Sequence, residues 1–416
     1  MSIQQTEDRK FDVVKYILLI CTGGAIFLLP YMRVLYYDEM LSFLGITPLE
    51  LGQVLAIYGI SSTCGTFFSG ILADKYPHKW LLVFSLAATG LGGLYFLTKP
   101  SYHGFLILYI FWGLSITFTY NSAYYKSVRY TGSASQQGKL FGSINGGRKL
   151  LAWLVALAGT GLFALYVSES RIEAFKNTVL FYSIIYLVIA VLVAIFWKKE
   201  EPVADDDKWK VSDFLAVLKH PATWLLGFTI YGVYSINRCM DMVTPYMTNV
   251  LEMEPATSAF LNGVRFYAFP FIAGMLIGYL MDKFTNKIRV IQVVTIIGSL
   301  TLFGLIFLPT QGSFWHIVFF SLVGVSVITI WGTYATAFSL LETANIPKKI
   351  TGSIIGVAIS IGYLPDISVN YLNNYLADAY GYELGSQYIF TLGTAHGIFA
   401  IIVMWLFGRY LAKINR

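Results

Sequence analysis

Charged side chains interrupt several long apolar segments of the chain, and their chemistry is the most specific that the sequence offers. Arg148 and Arg265 lie about 13 Å and about 12 Å into such segments, counted at about 1.5 Å per helical residue, which is near the middle of a bilayer. Ionisable groups at that depth are costly and usually face a cavity. Both arginines are therefore candidates for binding substrate, and the alternative for each is a structural pair with a backbone carbonyl or a buried acid.

Two acidic residues lie in similar surroundings. Asp241 follows Arg238 by three residues, so both face one side of a helix and we expect them to neutralise each other. Arg238 also remains a candidate substrate ligand, and Asp241 a candidate for ion coupling. Asp366 follows Pro365, which frees a backbone carbonyl and predicts a discontinuous helix with a polar pocket. Three roles stay open for Asp366: it could carry a proton, act as the counter-ion of a cavity arginine or form local hydrogen bonds.

The remaining candidates are one arginine and a set of aromatic and amide side chains. Arg33 lies near the outer end of the first apolar segment, where it can snorkel to the interface or contact substrate. Residues at helical spacing that can hydrogen-bond hydroxyls or stack on rings include Asn121, Tyr124 and Tyr234. Counting Lys149 beside the four arginines, five basic and two acidic embedded residues give a sum of +3, which favours an anion or a highly polar organic solute. The aromatic pattern does not choose between sugar, nucleoside and carboxylate.

The elements that position these residues are predicted to be membrane-spanning helices. Hydrophobic residues make up 56% of the 416 residues and charged residues 12%, against about 25% charged in soluble proteins. A spanning helix needs about 20 apolar residues, because it must satisfy its own backbone groups in lipid. Twelve segments meet this condition: 12–37, 49–73, 80–98, 104–128, 139–166, 177–198, 221–249, 257–281, 288–308, 314–341, 350–376 and 384–409.

The distribution of basic residues predicts the orientation. With a cytoplasmic N-terminus, the inner loops and tails, together with the adjoining ends of the spans, hold 21 of the 29 lysines and arginines, and the outer loops hold only Lys99, Arg171 and Lys176. Because cytoplasmic loops are enriched in basic residues, both termini are expected in the cytoplasm. The net charge of +6 reflects this bias and is weak evidence for a nucleic-acid partner.

The chain shows an internal duplication about a polar middle. Residues 199–220 are expected to form a cytoplasmic linker with a short interfacial helix, between bundles of six helices at 1–198 and 221–416. A loop motif recurs at an offset of 208 residues, and the sequence GSIxG recurs at an offset of 210. Parallel repeats of this kind are typical of transporters. The repeated residues are Gly70, Asp74, Lys75 and Lys79 with Gly278, Asp282, Lys283 and Lys287, and Gly142 and Gly146 with Gly352 and Gly356.

The motif GILADKYPHK at 70–79 resembles the loop signature that follows the second span in the major facilitator superfamily. QQGKLFGSINGGR at 136–148 and IPKKITGSIIGVAISIGYLPD at 346–366 are similar to a little-characterised group of bacterial inner-membrane carriers in that superfamily. The resemblance implies an all-α membrane protein with twelve transmembrane helices, in two six-helix bundles related by pseudo-two-fold symmetry.

The resemblance also implies a cytoplasmic latch and a shared cavity. Asp74 would accept hydrogen bonds at the start of the eleventh span and Asp282 at the start of the fifth, where helix dipoles favour negative charge. The GSIxG glycines would let the backbones approach, while the four motif lysines either join the latch or only anchor the loops. The spans of Arg148 and Arg265 would lie side by side, so that an anion or polar group between the two guanidiniums would relieve their repulsion.

Enzymatic function is not expected. The histidines are scattered, and no HExxH, CxxC, Walker or GxGxxG motif occurs, so neither a metal nor a cofactor is predicted. We expect a monomeric secondary active transporter that moves a small polar, anionic organic solute across the bacterial inner membrane by alternating access. Its partners would be the solute, the lipid bilayer and a coupling ion such as H+. The alternatives are a proton-coupled sugar or nucleoside symporter and a lipid flippase.

Overall fold

The computed structural model describes residues 11–129, 131, 137–198, 217–340 and 348–414. Within these ranges the chain is helical and contains no strand. The first eight α-helices are α1 (Val13–Ala25), α2 (Tyr37–Leu44), α3 (Pro48–Lys75), α4 (His78–Leu97), α5 (Tyr102–Leu114), α6 (Ser122–Arg129), α7 (Gln137–Tyr166) and α8 (Arg171–Phe196). The others are α9 (Pro221–Cys239), α10 (Val243–Asn249), α11 (Pro255–Gly263), α12 (Phe269–Lys283), α13 (Lys287–Gly304), α14 (Ser313–Thr336), α15 (Lys348–Gly362) and α16 (Pro365–Ile414).

Polar side chains fix where several helices begin. The carboxylate of Asp12 accepts a hydrogen bond from the Lys15 backbone N–H at 3.0 Å and caps α1. Ser170 caps α8 and Asn286 caps α13 in the same manner. Such caps satisfy N–H groups that have no partner within the helix. The helix ends are therefore specified locally, by residues just outside the apolar segments.

Short non-α segments interrupt some of the predicted spans. The sequence suggested one helix over 12–37, and this is wrong. In the structure α1 ends at Ala25, and a 3₁₀ turn follows at Met32–Val34. Pro30 accounts for the correction, because proline lacks an N–H and disfavours helical geometry in the residue before it. The seventh segment passes through a 3₁₀ turn at Met240–Met242, where Pro245 cannot donate to the carbonyl of Asp241.

The break expected beside Pro365 is present, because α15 ends at Gly362 and α16 begins at Pro365. Two spans also contain π-helical turns, Ser115–Asn121 between α5 and α6 and Val264–Ala268 between α11 and α12. Turns of this kind hold more residues than α-helical turns and often occur at functional sites.

The breaks also explain how many helices could cross a membrane without interruption. Within the described ranges, eight helices are each long and apolar enough to cross a membrane. The number rises to nine if Tyr37–Leu44 and Pro48–Thr66, which are bent by 103° relative to each other, form one span. The last two predicted spans are represented by α15 and by two helical parts of α16, which meet at a kink where the backbone of Gly381 is not helical. All twelve predicted segments contain helix, and the all-α membrane fold is confirmed.

The chain divides into two compact units by its internal contacts. Unit 1 comprises Met1–Thr47, Ile57–Lys208 and Pro255–Tyr267, and unit 2 comprises Pro48–Ala56, Trp209–Glu254 and Ala268–Arg416. The division of the sequence at 199–220 stays a prediction, since residues 199–216 lie outside the described ranges.

Each unit has a tightly packed interior. In unit 1, the Trp112 indole N–H donates to the Thr89 carbonyl at 3.2 Å, and the absence of a side chain at Gly92 leaves room for the indole ring. In unit 2, Gly232 lies against Ala400, so that α9 and α16 approach closely. Small residues at helix contacts are the usual way to pack helices in lipid, where burial of apolar surface gives no driving force.

Candidate functional site

The first candidate site lies in unit 1, where Arg148 of α7 faces Tyr120, in the π-helical turn Ser115–Asn121, and Tyr124 in the first turn of α6. The rings of Tyr120 and Tyr124 stack with centroids 5.1 Å apart, and the Arg148 guanidinium carbon lies 5.9 Å from the Tyr124 ring centroid. The Tyr120 hydroxyl donates to Thr22 Oγ1 of α1 at 3.2 Å. A Cβ at Gly23 would lie 2.5 Å from the Tyr124 hydroxyl, so a larger residue there would displace the Tyr124 ring.

Arg148 brings a positive charge into this aromatic group, where the described residues offer it no acidic partner. Among the described residues, no carboxylate lies within 4.0 Å of its guanidinium. The buried Tyr124 hydroxyl forms no hydrogen bond of ordinary geometry with any described residue. A guanidinium favours anions through paired N–H donors, and aromatic faces favour flat rings and cations. The arrangement suits an organic anion or a ring that carries hydroxyl groups.

Arg265 belongs to unit 1 as well, in the π-helical turn Val264–Ala268. Its side chain is buried, and its Nε donates to Asn262 Oδ1 at 2.9 Å. The Asn262 amide in turn donates to the Ser258 carbonyl at 2.9 Å. Since α11 packs against α7 within this unit, the structure brings the helices of Arg148 and Arg265 together. Polar groups of its own helix therefore orient the Arg265 guanidinium.

Arg33 and Asn121 are the other sequence candidates in unit 1. Arg33 does not snorkel to the interface, because it is only 3% exposed and its Nη1 donates to the Pro30 carbonyl at 3.2 Å. Its guanidinium carbon lies 4.8 Å from the Tyr31 ring centroid, which gives the buried charge an aromatic contact. Asn121 is half-buried at the end of its π-helical turn.

The second candidate site lies in unit 2 and centres on Arg238. Its Nη1 is 3.1 Å from Asp241 Oδ2 and 3.7 Å from Asp366 Oδ1. The Tyr234 hydroxyl lies 3.2 Å from each carboxylate oxygen of Asp366, and the Tyr234 ring centroid is 4.9 Å from the Arg238 guanidinium carbon. The expected Arg238 and Asp241 pair is present, and Asp366 extends it to one cation between two anions.

Backbone and amide contacts hold this charged cluster in place. After the break a new helix begins at Pro365, and the Asp366 carbonyl in its first turn accepts from the Asn370 side-chain amide at 2.9 Å. Asn373 donates to the Arg238 carbonyl at 2.8 Å, close to the 3₁₀ turn that follows α9. The Asp241 side chain is 8% exposed, whereas the Asp366 side chain is 14% exposed. Asp366 is thus the more accessible of the two acids.

Sequence reasoning missed three residues of this site. Tyr334 and Tyr363 share a hydrogen bond of 2.7 Å between their hydroxyls, and the Tyr363 ring centroid lies 4.8 Å from that of Tyr234. Asn373 is the third. The spacing of Asp366, Asn370 and Asn373 along one helix face was a usable signal for the asparagines. No local signal links Tyr334 to Tyr363, which lies across a helix break.

The surroundings of half of the repeated loop-motif and GSIxG residues fall outside what the structure describes, so the cytoplasmic latch stays a prediction. Gly70, Asp74, Lys75, Gly142, Asp282 and Gly352 lie in helices whose backbone is described, but their surroundings fall outside what the structure describes. The Lys79 ammonium donates to the Trp197 carbonyl at 2.8 Å, which ties the first turn of α4 to the residue that follows α8. Lys283 is exposed, and Lys287 and Gly146 are half-buried. A Cβ on Gly278 or Gly356 would meet no described atom within 4 Å.

Similarity to known proteins covers nearly the whole chain. The family model of the Major Facilitator Superfamily matches residues 16–369. The inner membrane protein YihN of Escherichia coli K12 is 28% identical over 382 residues, which cover 90% of each chain. A mutant of the nucleoside transporter NupG superimposes with a TM-score of 0.76 at 10% identity, covering 95% of this chain and 99% of NupG. A D-xylose-proton symporter superimposes with a TM-score of 0.67 at 16% identity, covering 95% of this chain and 98% of the symporter.

Proposed function

Because the chain belongs to the Major Facilitator Superfamily, we propose that it is a secondary active transporter that moves a small anionic organic solute across the bacterial inner membrane by alternating access. The name of the relative YihN supports this location, and the apolar helices support a membrane-embedded chain. The anionic substrate rests on one observation, the position of Arg148. Its charge lies in an apolar helix, faces tyrosines and has no described carboxylate within 4.0 Å.

The substrate class follows from this charge and from the aromatic rings around it. An embedded guanidinium without an acidic partner is stabilised when a carboxylate or phosphate binds beside it. The stacked rings of Tyr120 and Tyr124 offer a flat apolar surface beside that position. Sugar acids, organic phosphates and small carboxylates combine an anionic group with a body that can contact such a surface.

A ligand screen on the purified protein, with a variant pair, tests this proposal. Thermal shifts would be measured with sugar acids, organic phosphates, carboxylates, neutral sugars and nucleosides, followed by calorimetry on each hit. We expect an anionic hit whose affinity falls at least tenfold, or about 1.4 kcal/mol, in Arg148→Gln. The matched control is Lys149→Gln, which removes the neighbouring charge about 100° around the helix and should leave the affinity unchanged. Equal affinity in wild type and Arg148→Gln would overturn the assignment.

A proton-coupled sugar or nucleoside symporter is the second candidate, and the contacts of Asp366 favour it. This partly accessible carboxylate touches a cation and a phenol hydroxyl, so gain of a proton would change both contacts. The structures superimposed on this chain include a nucleoside transporter and a D-xylose-proton symporter. In proteoliposomes, Asp366→Asn should abolish substrate-driven proton uptake while substrate exchange continues.

The control for this coupling test is Asp378→Asn, an exposed position on the same helix. It should couple substrate and proton as the wild type does. Persistent proton uptake in Asp366→Asn would exclude the coupling role. A neutral sugar or nucleoside that binds Arg148→Gln as tightly as wild type would favour the second candidate over the first. Movement of labelled lipid without uptake of any solute would instead favour a flippase.

A further inference from the structure

A groove on the surface of unit 2 lies apart from both candidate sites. It runs between α13 and the C-terminal part of α16 and encloses about 390 Å³, within the range of about 300–1,000 Å³ that is usual for small-molecule sites. Its walls are formed by four aliphatic residues, one tryptophan, one arginine and one glutamine: Val293, Ile296, Ile401, Ile402, Trp405, Arg289 and Gln292.

Two arginines mark one end of the groove. Arg289 lies in the first turn of α13, and Arg409 lies in the last two turns of α16. A Cβ on Gly408 would be 3.5 Å from Ile288 Cγ2, so these two helix ends lie side by side and hold the arginines at a similar level. Both arginines are exposed, and no carboxylate within the described ranges lies within 4.0 Å of either guanidinium.

The groove becomes apolar away from the arginines. Val293 and Ile296 follow Arg289 by four and seven residues, so the three share one face of α13. On α16, Trp405 lies beneath Arg409, whose guanidinium carbon is 5.0 Å from the indole ring centroid. Val293 is 55% exposed and Trp405 is 52% exposed. The groove therefore changes from cationic through aromatic to aliphatic over about two helical turns.

We propose that this groove binds one anionic phospholipid, with the phosphate at Arg289 and Arg409 and one acyl chain along the aliphatic wall. The order of cation, tryptophan and aliphatic residues matches the order of headgroup, interface and acyl chain in a lipid. A soluble anion would make no use of the aliphatic wall. The apolar face of a second copy would leave both arginines without a counter-charge. The proposal does not depend on which solute the protein transports.

Fluorescence quenching by brominated lipids tests the proposal on the full-length protein. The protein is reconstituted in phosphatidylcholine vesicles that contain a small fraction of either brominated phosphatidylglycerol or brominated phosphatidylcholine. The Trp405 contribution is the difference in quenching between wild type and Trp405→Phe. We expect phosphatidylglycerol to be preferred about fivefold or more at low salt, as attraction of two arginines to an anionic headgroup implies. The preference should weaken as salt is added.

The variant Arg289→Gln/Arg409→Gln should reduce this preference to about one without loss of thermal stability, because both side chains are exposed. Lys176→Gln, a half-buried basic position in unit 1, should keep the full preference. Equal quenching by the two lipids in wild type would overturn the proposal, as would a preference that survives in the double variant. Loss of the preference with millimolar inorganic phosphate at constant ionic strength would indicate a soluble-anion site instead. If neither brominated lipid quenches Trp405 and the protein self-associates, the groove would instead be occupied by a second copy of the chain.

Discussion

Arg238 is 1% exposed, yet its guanidinium has two carboxylates as neighbours. Each buried charge in this cluster is tolerated because another charge or a hydrogen-bond donor offsets its loss of water. Tyr234 contributes both kinds of contact, since its ring lies near the cation and its hydroxyl donates to Asp366. The cluster carries one positive and two negative formal charges, so it is sensitive to any change of a single member.

Arg238→Ala should therefore destabilise the protein strongly, by about 3–5 kcal/mol, the usual cost of leaving the partner of a buried ion pair alone. Arg238→Ala/Asp241→Ala should be less destabilised than the sum of the two single variants, because it leaves one less uncompensated carboxylate. Thermal unfolding of all three variants in detergent measures the difference. Strictly additive losses would show that the two side chains do not stabilise each other.

The membrane-embedded candidates differ in how far the sequence could identify their partners. Arg238 and Asp241 are three residues apart, and helix geometry alone predicted their contact. Asp366 is 128 residues from Arg238, and no local pattern shows that the two meet. Tyr120 and Tyr124 are four residues apart, so helical spacing places their rings on one face. The approach of Arg148 to these rings depends on how α7 packs, which the spacing does not show. Local pairs are thus predictable, whereas pairs made by packing are not.

At the level of elements, the bend within α16 depends on two glycines. Gly381 has φ 75° and ψ 173°, a conformation open almost only to glycine. Four residues later, the position of a Cβ on Gly385 would be 2.7 Å from the Leu376 carbonyl oxygen and 3.0 Å from Ala377 Cα. The two parts of the helix therefore approach each other backbone to backbone at the bend.

Gly385→Ala should lower stability by about 1–3 kcal/mol, the usual cost of forcing an extra methyl group into a closely packed place. The obstacle is backbone, which cannot rotate away as a side chain does. Gly274→Ala is the matched control, because a Cβ there meets nothing within 4 Å and the change favours helix formation. Thermal unfolding should show a lower midpoint for the first variant and no loss for the second. A midpoint for Gly385→Ala equal to wild type would contradict this account of the bend.

Prolines were the most useful signals for helix breaks in the sequence. Pro365 predicted a discontinuity that the structure contains, between α15 and α16. Pro30 had a comparable effect, but the long apolar run around it suggested one uninterrupted helix over 12–37. The π-helical turn Ser115–Asn121 contains no proline or glycine, so its sequence carried no sign of it. Such turns result from packing around the helix rather than from a breaker residue.

For the whole molecule, the basic residues predict that both termini lie in the cytoplasm. This predicts that green fluorescent protein fused after Arg416 is fluorescent, and that alkaline phosphatase fused there is inactive. Phosphatase inserted beside Lys99 should be active, because that loop carries only one basic residue and is expected outside. Assays of the fusions in intact cells provide the measurement. Phosphatase activity at Arg416 would reverse the proposed orientation.

The π-helical turns of the two spans imply a way for side chains to change their facing direction. Each such turn accommodates one residue beyond the α-helical number, and one residue corresponds to about 100° around a helix axis. The π-helical turn that follows Leu114 could move along the span toward the end of α6. The side chains of Tyr120 and Tyr124 would then rotate about the helix axis by that angle. The aromatic surface beside Arg148 would then be withdrawn or presented by a local change in winding, with the span itself staying where it is.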